Sequence, residues 1–189
     1  MADVLNYQVW ADNVKVVDDP TCTTTANLTN PGFERTGTIA GAFINSTYAA
    51  PNPDGAVAIR SAAGQAHGGS SYLQYDSFAN CSSQGMTTFV VVPPANSGGG
   101  PALKFFGKAS VNADAQVNVA AGATRLTLTQ GNGYQPYTLC LSPIYIGRPQ
   151  AVTFSSSVTT IGVGCGTVDN QTTQIDDLQV TNDPMCASM

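Results

Sequence analysis

Apolar and polar residues alternate in short runs along this chain. No stretch holds apolar residues at i, i+3, i+4 and i+7 through three turns, so no amphipathic helix is predicted. Runs with β-strand pattern fall near 7–17, 39–45, 56–60, 71–77, 86–92, 102–110, 114–119, 123–129, 136–141, 150–156, 158–163 and 173–181. Between them stand PNPDG at 51–55, AGQAHGG at 63–69, PPANSGGGP at 93–101, GNGYQP at 131–136 and GVGCG at 162–166. Proline fixes φ and glycine frees it, so these segments read as turns. Many short strands at this spacing predict an all-β chain, an antiparallel sandwich or barrel. The SGGG at 97–100 precedes no helix and no Lys-Ser/Thr pair, so it is a loop tip and not a phosphate cradle.

One phrase occurs twice. ADNVKVVDDPTC at 11–22 and IDDLQVTNDPMC at 175–186 share Asp, Val, Asp, Pro and Cys at one constant offset. If the phrase ends each copy of a repeat, residues 1–22 are an extra terminal strand and linker, and residues 23–189 are the sandwich domain. Val9, Trp10, Val14 and Val16 would then lie on a strand lacking its own sheet. An orphan apolar strand seeks an edge. It would pair within its own domain, or join a neighbouring copy and build a structural or adhesive fibre.

Charge narrows the partners. Charged residues are 10% of the chain, the formal net charge is −5 and the seven basic residues are scattered. Nothing here would neutralise the phosphates of a nucleic acid, and no apolar run is long enough to insert in a membrane. The start, MADVLNYQVW, has neither the basic nor the apolar region of an export signal. The cysteines at 22, 81, 140, 165 and 186 form no CxxC or Cys/His cluster, so thiolate metal binding is not expected. Wide spacing in a Ser/Thr-rich chain points to disulfides and to an extracellular or cell-surface location. Counting one repeat period from Cys22 gives four cysteines and leaves Cys186 to the next. On that count Cys140–Cys165 and Cys22–Cys81 are the expected pairs, with Cys22–Cys186 the competing bond. The Asn-x-Ser/Thr sequons at Asn27, Asn45, Asn80 and Asn170 are about what this composition yields by chance.

Three segments carry a resemblance: NLTNPGFE at 27–34, GGSSYLQY at 68–75 and IDDLQV at 175–180. Their order resembles the galactose-binding-like jelly-roll modules, among them the carbohydrate-binding modules of secreted glycosidases. The resemblance spans roughly 26–183. It implies a jelly-roll sandwich, glycan or cell-surface polysaccharide as partner, and a structural calcium held by Glu34 and Asp176. The residues themselves fit hard oxygen ligation: Glu34 is the only Glu, and strict alternation would turn Asp176 inward with Leu178 and Val180. The competing reading gives both carboxylates backbone N–H donors and no metal.

Catalytic chemistry finds little support. His67 is the only histidine, it sits in the turn AGQAHGGS as a solvent-facing residue, and no nucleophile motif accompanies it. Sugar binding needs exposed rings and hydrogen-bonding side chains. Phe33, Phe89, Phe105, Phe106 and Phe154 lie in apolar strand stretches and are assigned to the core. Tyr48, Tyr75, Tyr134 and Tyr137, with Asn132, Gln135 and Arg148, form the candidate ligand surface. The sequence thus predicts a non-catalytic extracellular glycan-binding module, with the fibre subunit as the alternative.

Overall fold

A computed structural model describes residues 44–48, 56–62, 64–78, 83–110, 115–158 and 170–188. The strands are β1 (Ile44–Tyr48), β2 (Ala56–Ser61), β3 (Ser71–Phe78), β4 (Ser83–Val91), β5 (Gly100–Ala109), β6 (Ala115–Ala121), β7 (Thr124–Thr127), β8 (Gln135–Cys140), β9 (Pro149–Val158) and β10 (Asn170–Asp183). Two 3-10 turns, Pro143–Tyr145 and Pro184–Cys186, interrupt the pattern. The strands form two five-stranded sheets, ordered β1-β4-β9-β6-β7 and β2-β3-β10-β5-β8, and every strand pairing is antiparallel. β2–β3 and β6–β7 are hairpins, while every other connection between the consecutive strands β1 to β10 crosses from one sheet to the other. This is the antiparallel sandwich that the alternation predicts, in the jelly-roll form that the resemblance implies. The proposed terminal strand with Val9, Trp10, Val14 and Val16, the boundary at 22–23, and Glu34, Phe33, Cys22, Cys81 and Cys165 lie outside the described residues.

Alternation builds the core. Leu73 of β3, Met86 and Val90 of β4, Leu103 and Phe105 of β5, Val117 and Val119 of β6, Leu139 of β8, Val152 and Phe154 of β9, and Ile175 and Leu178 of β10 are all buried. Phe105 and Phe154 meet edge to face across the two sheets, with ring centroids 5.3 Å apart. Adjacent strand residues point to opposite faces, so Phe106 cannot join Phe105 in the core. It lies half-buried on the outer face, and Phe89 is 43% exposed on the other sheet. The assignment of these two rings to the core is therefore corrected.

The same periodicity is broken at Asp176. Its backbone pairs with Phe106, yet the next pairing on β10 joins Gln179 to Lys104, so β10 carries an extra residue there. Asp177 takes up this bulge with φ of 50°, in the left-handed region. Leu178 returns to the core, while Asp176 stands with Phe106 on the outer face, opposite to the inward placement expected from strict alternation.

The cysteine pairing also differs. Cys140 is bonded to Cys186, with Cα atoms 5.4 Å apart. This replaces both the Cys140–Cys165 pair and the Cys22–Cys186 alternative. The reason is that β10 runs along β5 to Gly100, and the turn after it lays Cys186 over Ala102, beside the end of β8. Asp183 holds that turn by accepting the Met185 N–H at 2.8 Å and pairing with Lys104 at 2.6 Å.

Candidate functional site

The outer face of the sheet β2-β3-β10-β5-β8 collects the chemistry. Pairing sets Lys108, Gln174, Gln74 and Ala58 in one row across β5, β10, β3 and β2. The neighbouring row contains Pro136 of β8, Phe106, Asp176, and the β3–β2 pair of Tyr72 with Arg60. Beyond these, the Asp183–Lys104 ion pair and the disulfide-held C-terminal turn cover the start of β5. The first two rows are the part of this face that the C-terminal turn leaves uncovered.

The loop between β2 and β3 folds onto this face. Asp176 is wholly buried, and its Oδ2 accepts the backbone N–H groups of His67 at 2.9 Å and Gly68 at 3.1 Å. Its Oδ1 accepts the N–H of Asp177 at 2.8 Å. Burial pushes the Asp176 carboxyl above the usual carboxylate range, and the Asp177 charge adds to this, while the three N–H donors pull the other way. Gly68 favours this seating, because an added Cβ would meet the Asp177 carboxylate at 2.6 Å and 2.9 Å and displace it. With its backbone held, the His67 ring lies on Phe106, centroids 3.4 Å apart and planes at 14°. His67 Nδ1 is 2.8 Å from Asp177 Oδ2, and 34% of the His67 side chain faces solvent. Tyr134 meets His67 edge-on at 5.6 Å.

Two polar atoms here lack partners. Gln174 is only 7% exposed; its amide donates to Gln74 Oε1 at 3.3 Å, while its own Oε1 is buried without a hydrogen bond. The Tyr134 hydroxyl is likewise buried and unpartnered. Burial raises its pKa, helped by the charges of Asp176 and Asp177 and by Tyr72, so it keeps its proton and can donate. Unpaired polar atoms beside stacked rings suit a ligand that offers hydroxyls at one edge and C–H groups at another.

The candidate surface read from the sequence is only partly brought together. Tyr134 belongs to the site, and Asn132 and Gln135 are exposed close to it in sequence. Tyr137 instead stacks on Phe105 at 5.4 Å and accepts the Thr129 N–H at 2.8 Å, so it supports the fold. Tyr48 lies in β1 and Arg148 precedes β9, both on the other sheet, while Tyr75 lies in β3 opposite Thr173. Phe106, Tyr72, Gln74, Gln174, Asp177 and the loop residue His67 were not singled out for binding. For Phe106 a signal existed: LysPhePheGlyLys at 104–108 puts Lys104, Phe106 and Lys108 on one period-two face. His67 had none, since a loop residue carries no periodicity. Among the described residues no group of three His, Cys, Asp or Glu is placed to hold a metal. No described helix is long and apolar enough to cross a membrane.

Comparison with solved structures places the fold. A family 61 carbohydrate-binding module in complex with β-1,4-galactotriose matches at a TM-score of 0.53 and 17% identity, covering 85% of this chain and 100% of that one. A structure described for the promiscuous specificity of carbohydrate-binding modules from the β-sandwich superfamily matches at 0.56 and 13%, covering 85% and 64%. An exo-β-agarase matches at 0.51 and 11%, covering 81% of this chain and 25% of that one. No protein-family model and no curated protein matches the sequence. The chain has the β-sandwich fold of carbohydrate-binding modules.

Proposed function

We propose that this protein is a non-catalytic extracellular module that binds a glycan on the outer face of the β2-β3-β10-β5-β8 sheet. The observation that carries the reading is the pairing of stacked rings with a buried, unsatisfied amide oxygen on one face. Phe106 and His67 offer a ring stack for the apolar side of a sugar, and a small side-chain shift would uncover the buried, unpartnered Gln174 Oε1 and Tyr134 hydroxyl for its hydroxyls. A buried polar atom without a partner costs on the order of 1–3 kcal/mol, which a bound hydroxyl would recover. The shared fold supports the reading by analogy alone. The disulfide supports an oxidising compartment. His67 and Asp177 form a pair, but no hydroxyl or thiol nucleophile is hydrogen-bonded to His67 among the described residues, which favours binding over catalysis.

The test is calorimetric titration of the protein with β-1,4-galactotriose, xylotriose, cellotriose and trigalacturonate, beside the Phe106→Ala variant. Binding of at least one sugar by the parent, lost in Phe106→Ala at unchanged melting temperature, is the expected result. No heat with any sugar, or full binding by the variant, overturns the reading.

A further inference from the structure

We propose that His67 is the specificity-determining residue of this site and selects neutral sugars, its Nε2 accepting a hydrogen bond from a sugar hydroxyl while its ring face meets the sugar's C–H groups. The inference rests on the glycan-binding reading and names the class of glycan and the atom that reads it.

Position comes first. The imidazole lies on Phe106 and keeps 34% of its side chain in solvent, so a sugar approaching Phe106 from that side meets His67 first. The ring is also fixed. Two backbone N–H bonds to the buried Asp176 carboxylate hold the loop, and Gly68 allows its close approach to β10. A binding group held in place before the ligand arrives loses little freedom on binding.

Its chemistry follows from Asp177. An ionised carboxylate has no hydrogen to give, so the 2.8 Å contact assigns the hydrogen to His67 Nδ1. In the neutral ring, Nε2 then carries the lone pair, and it has no partner among the described residues. The groups around it are Asp176 and Asp177 from β10, Tyr72 from β3, Tyr134 at its edge, and Gln174 Oε1 in the next row. Lys104 and Lys108 flank Phe106 on β5, and Lys104 is engaged by Asp183. At His67 the open atom is an acceptor and the two carboxylates in contact with the residue are negative, while the Tyr134 hydroxyl is a donor and Lys108 and Arg60 are cations elsewhere on the two rows. A hydroxyl donor satisfies the His67 acceptor, whereas a carboxylate or sulfate facing it would set acceptor against acceptor.

The test uses the four sugars named above with the parent, His67→Phe and His67→Ala. His67→Phe keeps a ring on Phe106 and the backbone N–H to Asp176 but removes the acceptor. The parent should prefer a neutral trisaccharide to trigalacturonate by about tenfold or more. His67→Phe should bind that neutral sugar about tenfold more weakly, the worth of one hydrogen bond. Equal binding by His67→Phe, tighter binding by His67→Ala, or preference for trigalacturonate overturns the inference and leaves the glycan reading standing. A parent that binds none of the four sugars overturns both. Because the chain has one histidine, its imidazole nitrogens can also be followed in the parent by 15N NMR. The Nδ1–H tautomer, with an Nε2 resonance that moves on saturation by the neutral sugar, is expected. An Nε2 resonance unmoved at saturation overturns the inference even where the variants fail to fold.

Discussion

Removing the Cys140–Cys186 bond should cost this domain a large share of its stability. The bond closes a loop whose ends are 46 residues apart in sequence. Loop-closure entropy for that length corresponds to about 4 kcal/mol at room temperature. Native domains are stable by about 5–15 kcal/mol in all. At about 2–4 °C per kcal/mol, the midpoint of melting should fall by roughly 8–16 °C. The perturbation is the double variant Cys140→Ala/Cys186→Ala, since a single change would leave a reactive thiol buried against Ala102. Circular dichroism melts and urea titrations of parent and variant give the difference. Peptide mapping under non-reducing conditions should show residues 140 and 186 in one linked pair. A midpoint lowered by less than about 3 °C, or a linked pair joining 140 to 165, would refute the reasoning.

Three further outcomes follow from the same geometry. Gly100→Ala would drive its Cβ into the Cys186 carbonyl, so it should lower the melting midpoint by several degrees, and an unchanged midpoint would contradict the close seating of the C-terminal turn. Asp176 has its native pKa raised above the ordinary value near 3.8, so the folded state holds that proton more tightly than the unfolded state. Stability should therefore rise as pH falls from neutral toward 3.8, a slope that Asp176→Asn removes. Asp183, lowered by its hydrogen bond to Lys104, works in the opposite sense: its contribution is present above that value and is lost as pH falls below it through the lowered folded-state pKa. Urea titrations at several pH values separate the two. The calcium proposed between Glu34 and Asp176 would have to use the lone-pair site left on Asp176 Oδ1, and a melting midpoint that falls in EDTA supports it, whereas an unchanged midpoint removes it.

What could be read from the chain and what could not divide along physical lines. Strands such as β5 and β10 were legible because period-two alternation and the turns that bound them are local properties. The bulge at Asp177 was not, because a single inserted residue leaves the apolar count intact while turning Asp176 to the opposite face. The Cys140–Cys186 bond was missed for a different reason. Counting cysteines by repeat period assigned Cys186 to another domain, and only the return of the chain past Gly100 brings it to Cys140. The site itself arises where β5, β10, β3 and the β2–β3 loop converge, so residues as distant in sequence as His67, Phe106 and Asp177 meet without any shared motif. A tyrosine in a polar turn is a conspicuous binding candidate; of the two chosen on that ground, Tyr134 lies beside His67 at the candidate site and Tyr137 packs on Phe105.

The central claim is the location of the glycan. A backbone and side-chain NMR titration with the tightest-binding of the four sugars tests it directly. Shifts confined to His67, Gln74, Phe106, Tyr134 and Gln174 are predicted. Shifts centred instead on Phe89 of the opposite sheet and the exposed Ile144–Ile146 turn, or no shifts with any of the sugars, would contradict the account.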